Sequence, residues 1–163
     1  MRSANPLILG NHLTHDGTDF ALWAPAADAV EICLFDRPNE SAQWSETRFS
    51  LAHRDGPIWH GHLAGIRTGQ RYGYRVYGPW IPEQGWRFNP AKVLIDPYAH
   101  LLDGELRYSP EIFGHRANDS LGNGDFSIQD DRNSLDSVPL SVVTSHSPRI
   151  INRPLTPWKR TFI

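Results

Sequence analysis

The sequence predicts an all-β fold: an immunoglobulin-like antiparallel β-sandwich with an irregular C-terminal linker. Three observations predict it. Short stretches of alternating apolar residues recur through the first hundred positions. Turn residues separate them at a spacing of roughly 8–12 residues, the rhythm of a sandwich built from short strands. No stretch before residue 100 sustains a 3.6-residue period, and 13 Gly and 13 Pro among 163 residues favour turns over helix.

The lead-in from Asn5 to His15 offers a short edge strand at Leu7–Leu9. Asp16–Gly17 is a turn signal, and Asp19 to Trp23 alternates with Phe20 and Leu22 on one face until Pro25 ends it. Ala29 to Phe35 alternates again, Val30, Ile32 and Leu34 against Glu31 and Cys33. Its β-branched content makes it the central strand. Trp44 to Leu51 reads as a strand after the polar loop Asp36–Gln43. Asp55–Gly56–Pro57 is a turn, Ile58 to Leu63 a strand, and Arg71 to Tyr77 another, closed at Gly78–Pro79 because proline has no N–H for a ladder. An aromatic loop with Trp80, Trp86 and Phe88 follows. Val93–Ile95 and Tyr98–Leu102 are offered as the last strands. After Asp103 the composition turns polar from Ala117 to Asp136, with a short apolar interlude at Val138–Val143 and prolines at 148, 154 and 157. This reads as a domain at 1–103 and a linker at 104–163.

Hydrophobic content of 39% leaves room for such a tail. No run approaches the length of a membrane span, and the N-terminus carries no secretory h-region. A single cysteine, Cys33, cannot form an internal disulfide, so the expected setting is the reducing cytoplasm. A formal net charge of −2 with interspersed signs leaves no footprint for nucleic acid.

Sites of possible chemistry are few. His60 and His62 share a strand face, the spacing that lets two imidazoles reach one metal, but no third ligand stands at a credible spacing and surface histidines are expected. Cys33 has apolar neighbours and reads as a buried inert thiol. The polar run Asn123–Asn133 lacks the ordered ligands and closing Glu of a calcium loop. Asp96 before Pro97 reads as a turn-initiating residue. No metal, no cofactor and no catalytic residue is assigned.

The run Tyr72–Gly73–Tyr74–Arg75, Gly78–Pro79, Arg87–Phe88–Asn89–Pro90–Ala91–Lys92 and Asp96–Pro97–Tyr98–Ala99 resembles the N-terminal region of bacterial glycogen-debranching and isoamylase-type enzymes of glycoside hydrolase family 13. Asp16–Pro25, Val30–Asp36 and Trp59–Leu63 match in order upstream. The resemblance covers roughly the first hundred residues and implies a carbohydrate-binding module of family 48, placed before a catalytic barrel. The final Thr156–Ile163 is similar to the run that enters the first barrel strand, so the barrel and its two catalytic carboxylates are expected to lie outside this chain. The implied role is that of a non-catalytic α-glucan-binding module of an enzyme that hydrolyses α-1,6 branch linkages in glycogen or maltodextrin. Its partners would be α-glucan and a catalytic barrel. Trp44 and Trp80 are similar in relative position to the two tryptophans with which related glycogen-binding domains grip glucan, and Trp86 is a third candidate. Indole planes stack on the C–H faces of sugars. The competing reading is a structural module that docks on the barrel and binds no sugar, with the aromatic loop as its interface. Trp23 and Trp59, within predicted strands, are expected to pack.

Overall fold

The computed structural model describes residues 1–39 and 41–145. Among them the strands run β1 (Gly10–Leu13), β2 (Gly17–Trp23), β3 (Ala29–Asp36), β4 (Ser45–Ser50), β5 (His53–Asp55), β6 (Ile58–Ala64), β7 (Arg71–Tyr77), β8 (Trp80–Ile81), β9 (Trp86–Arg87), β10 (Leu102–Asp103), β11 (His115–Ala117), β12 (Gly124–Gln129) and β13 (Leu140–Val142). One sheet has the order β1-β2-β6-β5 and a second the order β10-β13-β7-β3-β4. Two further hairpins, β8–β9 and β11–β12, stand apart from them. The pairings in both main sheets are antiparallel, as the alternation and turn spacing predict.

The centre of the larger sheet is the β3–β7 pair, which sets Val30 opposite Val76, Ile32 opposite Tyr74 and Leu34 opposite Tyr72. Because side chains alternate across a strand, these six share one face. They form one buried cluster with Phe20 and Leu22 of β2 and Leu63 of β6, so the main core draws on both sheets. The reverse face of β3 is covered too. Cys33 and Phe35 pack there against Val93, Leu135 and Leu140. Burial pushes the Cys33 thiol up to about 12, with the neighbouring Glu46 carboxylate adding to the effect, which fits the expected inert thiol.

Two glycines explain how the loop after β7 returns to the sheet. A Cβ on Gly73 would stand 2.9 Å from Val93 Cγ1 and 3.0 Å from the Leu94 carbonyl, and one on Gly78 would stand 2.5 Å from the Phe88 ring. Their bare backbones let residues 93 and 94 lie against β7, where Tyr74 and Leu94 exchange backbone hydrogen bonds of 2.9 and 2.8 Å, and let Phe88 close over the strand end.

Two expectations are corrected here. The N-terminal strand is Gly10–Leu13, not Leu7–Leu9: Leu7 is fully out in solvent, whereas Gly10 to Leu13 pair with Ala21 to Thr18 of β2. His60 and His62 are buried rather than surface residues, because residues 1–4 cross over them. Ala4 N donates to His60 Nδ1, His62 N donates to the Arg2 carbonyl, and His62 Nδ1 donates to Asp19 at 2.7 Å. The stretch read as linker from residue 104 contributes to the sheet as well. Leu140–Val142 of that stretch is a strand seated between β10 and β7, so the sheet continues beyond residue 103. The residues from 146 on, including the barrel-like terminus, lie outside the described residues.

Asp96 does start a turn, accepting from Tyr98 N at 2.8 Å, but it also ties three segments together. It is buried, accepts from the Tyr72 hydroxyl at 2.7 Å, and its own N–H donates to Ser141 Oγ of β13. Burial raises its carboxyl above the ordinary range, against the hydrogen bonds from Tyr72 and Tyr98 that favour the ionised form. Tyr72→Phe leaves this carboxylate short of a partner in the interior. The expected cost is about 2 kcal/mol, a fall in melting temperature of roughly 4–8 °C. An unchanged melting curve would show that the bond contributes nothing.

Candidate functional site

At the end of the sheets where β2 and β7 finish, the chain leaves a cleft of about 800 Å³. One side is the end of β2, Trp23 to Ala26. The floor is Tyr74, Val76 and the Leu94–Ile95 segment. The remaining walls are the β8–β9 hairpin, with Trp80, Trp86 and Phe88, and the loop Ile112–His115. Most of the lining is apolar or aromatic, with Arg87, Asn89, Lys92 and His115 as its polar members.

The β8–β9 hairpin sets the aromatics. Trp80 pairs with Arg87 and Ile81 with Trp86. The Trp86 and Phe88 rings stack with centroids 6.3 Å apart at 19°. Trp80 is half-buried, its six-membered ring atoms 3.3 Å from where a Cβ on Gly114 would stand, and its indole N–H donates to the Ser127 carbonyl at 2.9 Å. It acts as a post that joins the two hairpins. The open faces belong to Trp86, 38% exposed, and Trp23, 57% exposed.

Polar tethers hold the loop wall. Asn89 Nδ2 donates to the carbonyls of Gly114 and Asp130, at 2.9 and 2.8 Å. Lys92 Nζ reaches the Glu111 carbonyl (2.7 Å), the Arg132 carbonyl (2.8 Å) and Asp130 Oδ2 (3.1 Å). Burial lowers the Lys92 ammonium below its ordinary value, although Asp130 pulls the other way. With three bonds to three acceptors the ammonium has nothing left for a ligand. The Asn89–Pro90–Ala91–Lys92 motif is therefore structural: it fastens β11–β12 beside the cleft.

The sequence candidates do not come together. Trp80 and Trp86 meet at the cleft. Trp44 precedes Ser45, which pairs with Asp36 at the far end of β3, whereas Tyr77, just before Trp80, pairs with Ala29 at the near end. The length of β3, about 24 Å at 3.4 Å per residue, separates the two ends. Trp44 is half-buried against the Cys33–Phe35 cluster, with Arg37 over its ring at 4.2 Å and Arg71 at 5.6 Å. Trp59 packs as expected, its N–H on the Ala24 carbonyl at 3.0 Å. Trp23, expected to pack, is exposed on the cleft instead, and the sequence carries the reason. It follows Leu22 and so faces the opposite side, at the last position before the strand ends. Phe113 and His115 carried no such signal. Among the described residues no group of three or more His, Cys, Asp or Glu is arranged to hold a metal ion, and no helix is long and apolar enough to cross a membrane.

Residues 8–99, more than half of the chain, match the family model described as carbohydrate-binding module 48 (isoamylase N-terminal domain). The chain belongs to this family. As a family 48 module it is 43% identical over 154 residues to the glycogen debranching enzymes of Salmonella typhi and Salmonella heidelberg, alignments that cover 92% of this chain and 21% of those proteins. The module thus spans about a fifth of the length of the curated relatives it matches. Among solved structures it is similar to a pullulanase from Bacillus acidopullulyticus, with TM-score 0.47 and 23% identity over 61% of this chain and 11% of that one. A pullulanase of Anoxybacillus sp. LM18-11 complexed with maltotetraose gives 0.46 and 24% over 62% and 13%. The described residues of the module build antiparallel sheets and hairpins, and no barrel of parallel strands.

Proposed function

We propose that this chain is the non-catalytic, α-glucan-binding N-terminal module of a cytoplasmic glycogen-debranching enzyme. The whole enzyme would hydrolyse α-1,6 branch linkages of glycogen or maltodextrin with carboxylates on a barrel beyond this module. Its two main sheets form an immunoglobulin-like sandwich, closed around the Phe20–Ile32–Tyr74 core. The module boundary falls after Val143, since β13 completes the sheet. The observation that carries the glucan reading is the cleft, which gathers Trp23, Trp80 and Trp86 at one end of the fold and leaves two indole faces open to solvent. Flat apolar rings suit the C–H faces of glucose units.

A second reading has its own support. Leu94, Ile95, Tyr98 and Leu101 are also exposed, and contiguous apolar surface of this kind fits a protein neighbour. In that reading the cleft and this strip seat the catalytic barrel, and the module binds no sugar.

Titration of the purified chain with maltoheptaose, followed by tryptophan fluorescence, separates them. Glucan binding predicts saturable quenching whose dissociation constant rises about tenfold in Trp86→Ala and is unchanged in Trp44→Ala. No response from a chain shown to be folded would overturn the glucan reading and favour docking.

A further inference from the structure

The Asn89–Lys92 turn has a second side. Asn89 and Lys92 line the aromatic cleft, while Pro90 and Ala91 line a separate polar depression of about 320 Å³ on the outer face of the five-stranded sheet. Its other walls are Arg48 of β4, Arg75 and Tyr77 of β7, and Asp131 and Asn133. The volume is at the lower end of the roughly 300–1,000 Å³ typical of small-molecule sites, enough for one sugar ring.

The polar groups there are already fixed in place. Arg75, with a side chain 1% exposed, is held by Glu46 at 2.6 and 3.0 Å and by the Pro90 carbonyl at 2.8 Å. Arg48, 43% exposed, is held by both oxygens of Glu46 at 2.9 and 3.1 Å. Tyr77 donates its proton to Glu31 at 2.8 Å, so its oxygen presents lone pairs. Asn133 Oδ1 accepts from Arg75 at 3.0 Å and from Leu135 N at 3.1 Å, which assigns its Nδ2 as the remaining hydrogen-bonding group. The Asp131 side chain is 85% exposed and accepts from Arg116 at 3.2 Å. The depression thus offers both donors, on Arg48 and Asn133, and acceptors, on Tyr77 and Asp131. The two guanidiniums are set against the carboxylates of Glu31, Glu46 and Asp131, a balance that suits neither a strong anion nor a strong cation. A neutral ligand with adjacent hydroxyls, each both donor and acceptor, meets it best.

We propose that this depression is a second subsite for one hexopyranose residue of an α-glucan, across the Asn89–Lys92 turn from the aromatic cleft. The inference rests on the glucan reading above and adds a polar subsite to the mostly apolar cleft.

The test is a titration of the ¹⁵N-labelled chain with maltose, a probe of only two rings, read by amide and indole NMR shifts. Saturable shifts are expected at Arg48, Tyr77 and Asn133, separate from those of the Trp23 and Trp86 indoles. Asp131→Ala, at a side chain exposed enough to leave the fold intact, weakens the first set about tenfold and leaves the indole set unchanged; Trp86→Ala does the reverse. Shifts confined to the indoles would overturn the subsite and leave the glucan reading standing. No shifts at either place, with maltose or maltoheptaose, would remove both.

Discussion

Arg75→Met lowers the melting temperature by roughly 10 °C. The Arg75 guanidinium lies inside the protein, on the sheet face opposite the main core, and bonds β7 to Glu46 of β4, to the 90 turn and to Asn133. Breaking a buried pair by removing one partner costs about 3–5 kcal/mol. The lower figure applies, because Arg48 stays bonded to Glu46 and keeps that carboxylate from being left alone. At about 2–4 °C per kcal/mol for a chain of this size, a loss near 3 kcal/mol gives the stated shift. Adding Glu46→Gln to Arg75→Met should recover part of the loss, since it removes the charge the first change strands. A single variant melting within 2 °C of the parent (~0.5–1 kcal/mol) would mean the pair does not hold β4. The same carboxylate shapes the acid limb. Burial alone would raise Glu46, but hydrogen bonds from Arg75 and Arg48 outweigh it and hold the carboxyl below its ordinary 4.5. A depressed carboxyl stabilises the fold fully above its unfolded value and loses that contribution as pH falls through its folded value. Asp130 is depressed in the same direction. Glu46→Gln therefore flattens the decline of stability below about pH 4.5 without abolishing it.

Lys92→Met releases the wall of the cleft. The ammonium satisfies two carbonyls and a buried carboxylate that sit on the loop before β11 and the segment after β12. Methionine fills the space of the stem and leaves those three acceptors short. Asp130 keeps Arg132, at 2.9 Å, so its charge is not stranded. The expected loss is about 2 kcal/mol, from unsatisfied buried acceptors rather than a lone buried charge. It should fall unevenly. Hydrogen exchange should quicken through residues 111–132, whose attachment to the rest depends on side-chain tethers, and hardly change in β3 and β7, which exchange by global opening. Equal acceleration everywhere would show that the hairpin belongs to the same cooperative unit as the sheets.

How much of this was legible in the sequence varies with the range of the contact. Strands β2, β3, β6 and β7 were readable because each is seven or eight residues long with a clean period of two, and their observed bounds differ from the reading by two residues at most. β13 was not. Three residues, buried on every side chain, show no alternation, and its partner Tyr72 is remote in the chain. The β11–β12 hairpin was read as loop because its composition is that of a loop: β12 is exposed along most of its length, and Asn89 and Lys92 hold it rather than an apolar face. Trp80 and Trp86 stand out in the sequence because nothing local explains two indoles in a turn. Trp44 is named with them on likeness of relative position, which says nothing about which end of a strand a residue occupies, and it lies at the other end of β3.

The seating of β13 has a consequence for how the protein comes into being. Synthesis makes β3, β4 and β7 first, yet the Arg71–Tyr72 end of β7 stays open until residues 140–142 arrive to cover it. A nascent chain halted near residue 103 would leave the Arg71–Tyr72 end of that edge unpaired, beyond the part that Leu94 covers at Tyr74, and would present it to its neighbours on the same polysome, the geometry from which strand-to-strand aggregation starts. Expression clones ending there should accumulate in inclusion bodies, and those carrying the chain through Val143 should stay in solution.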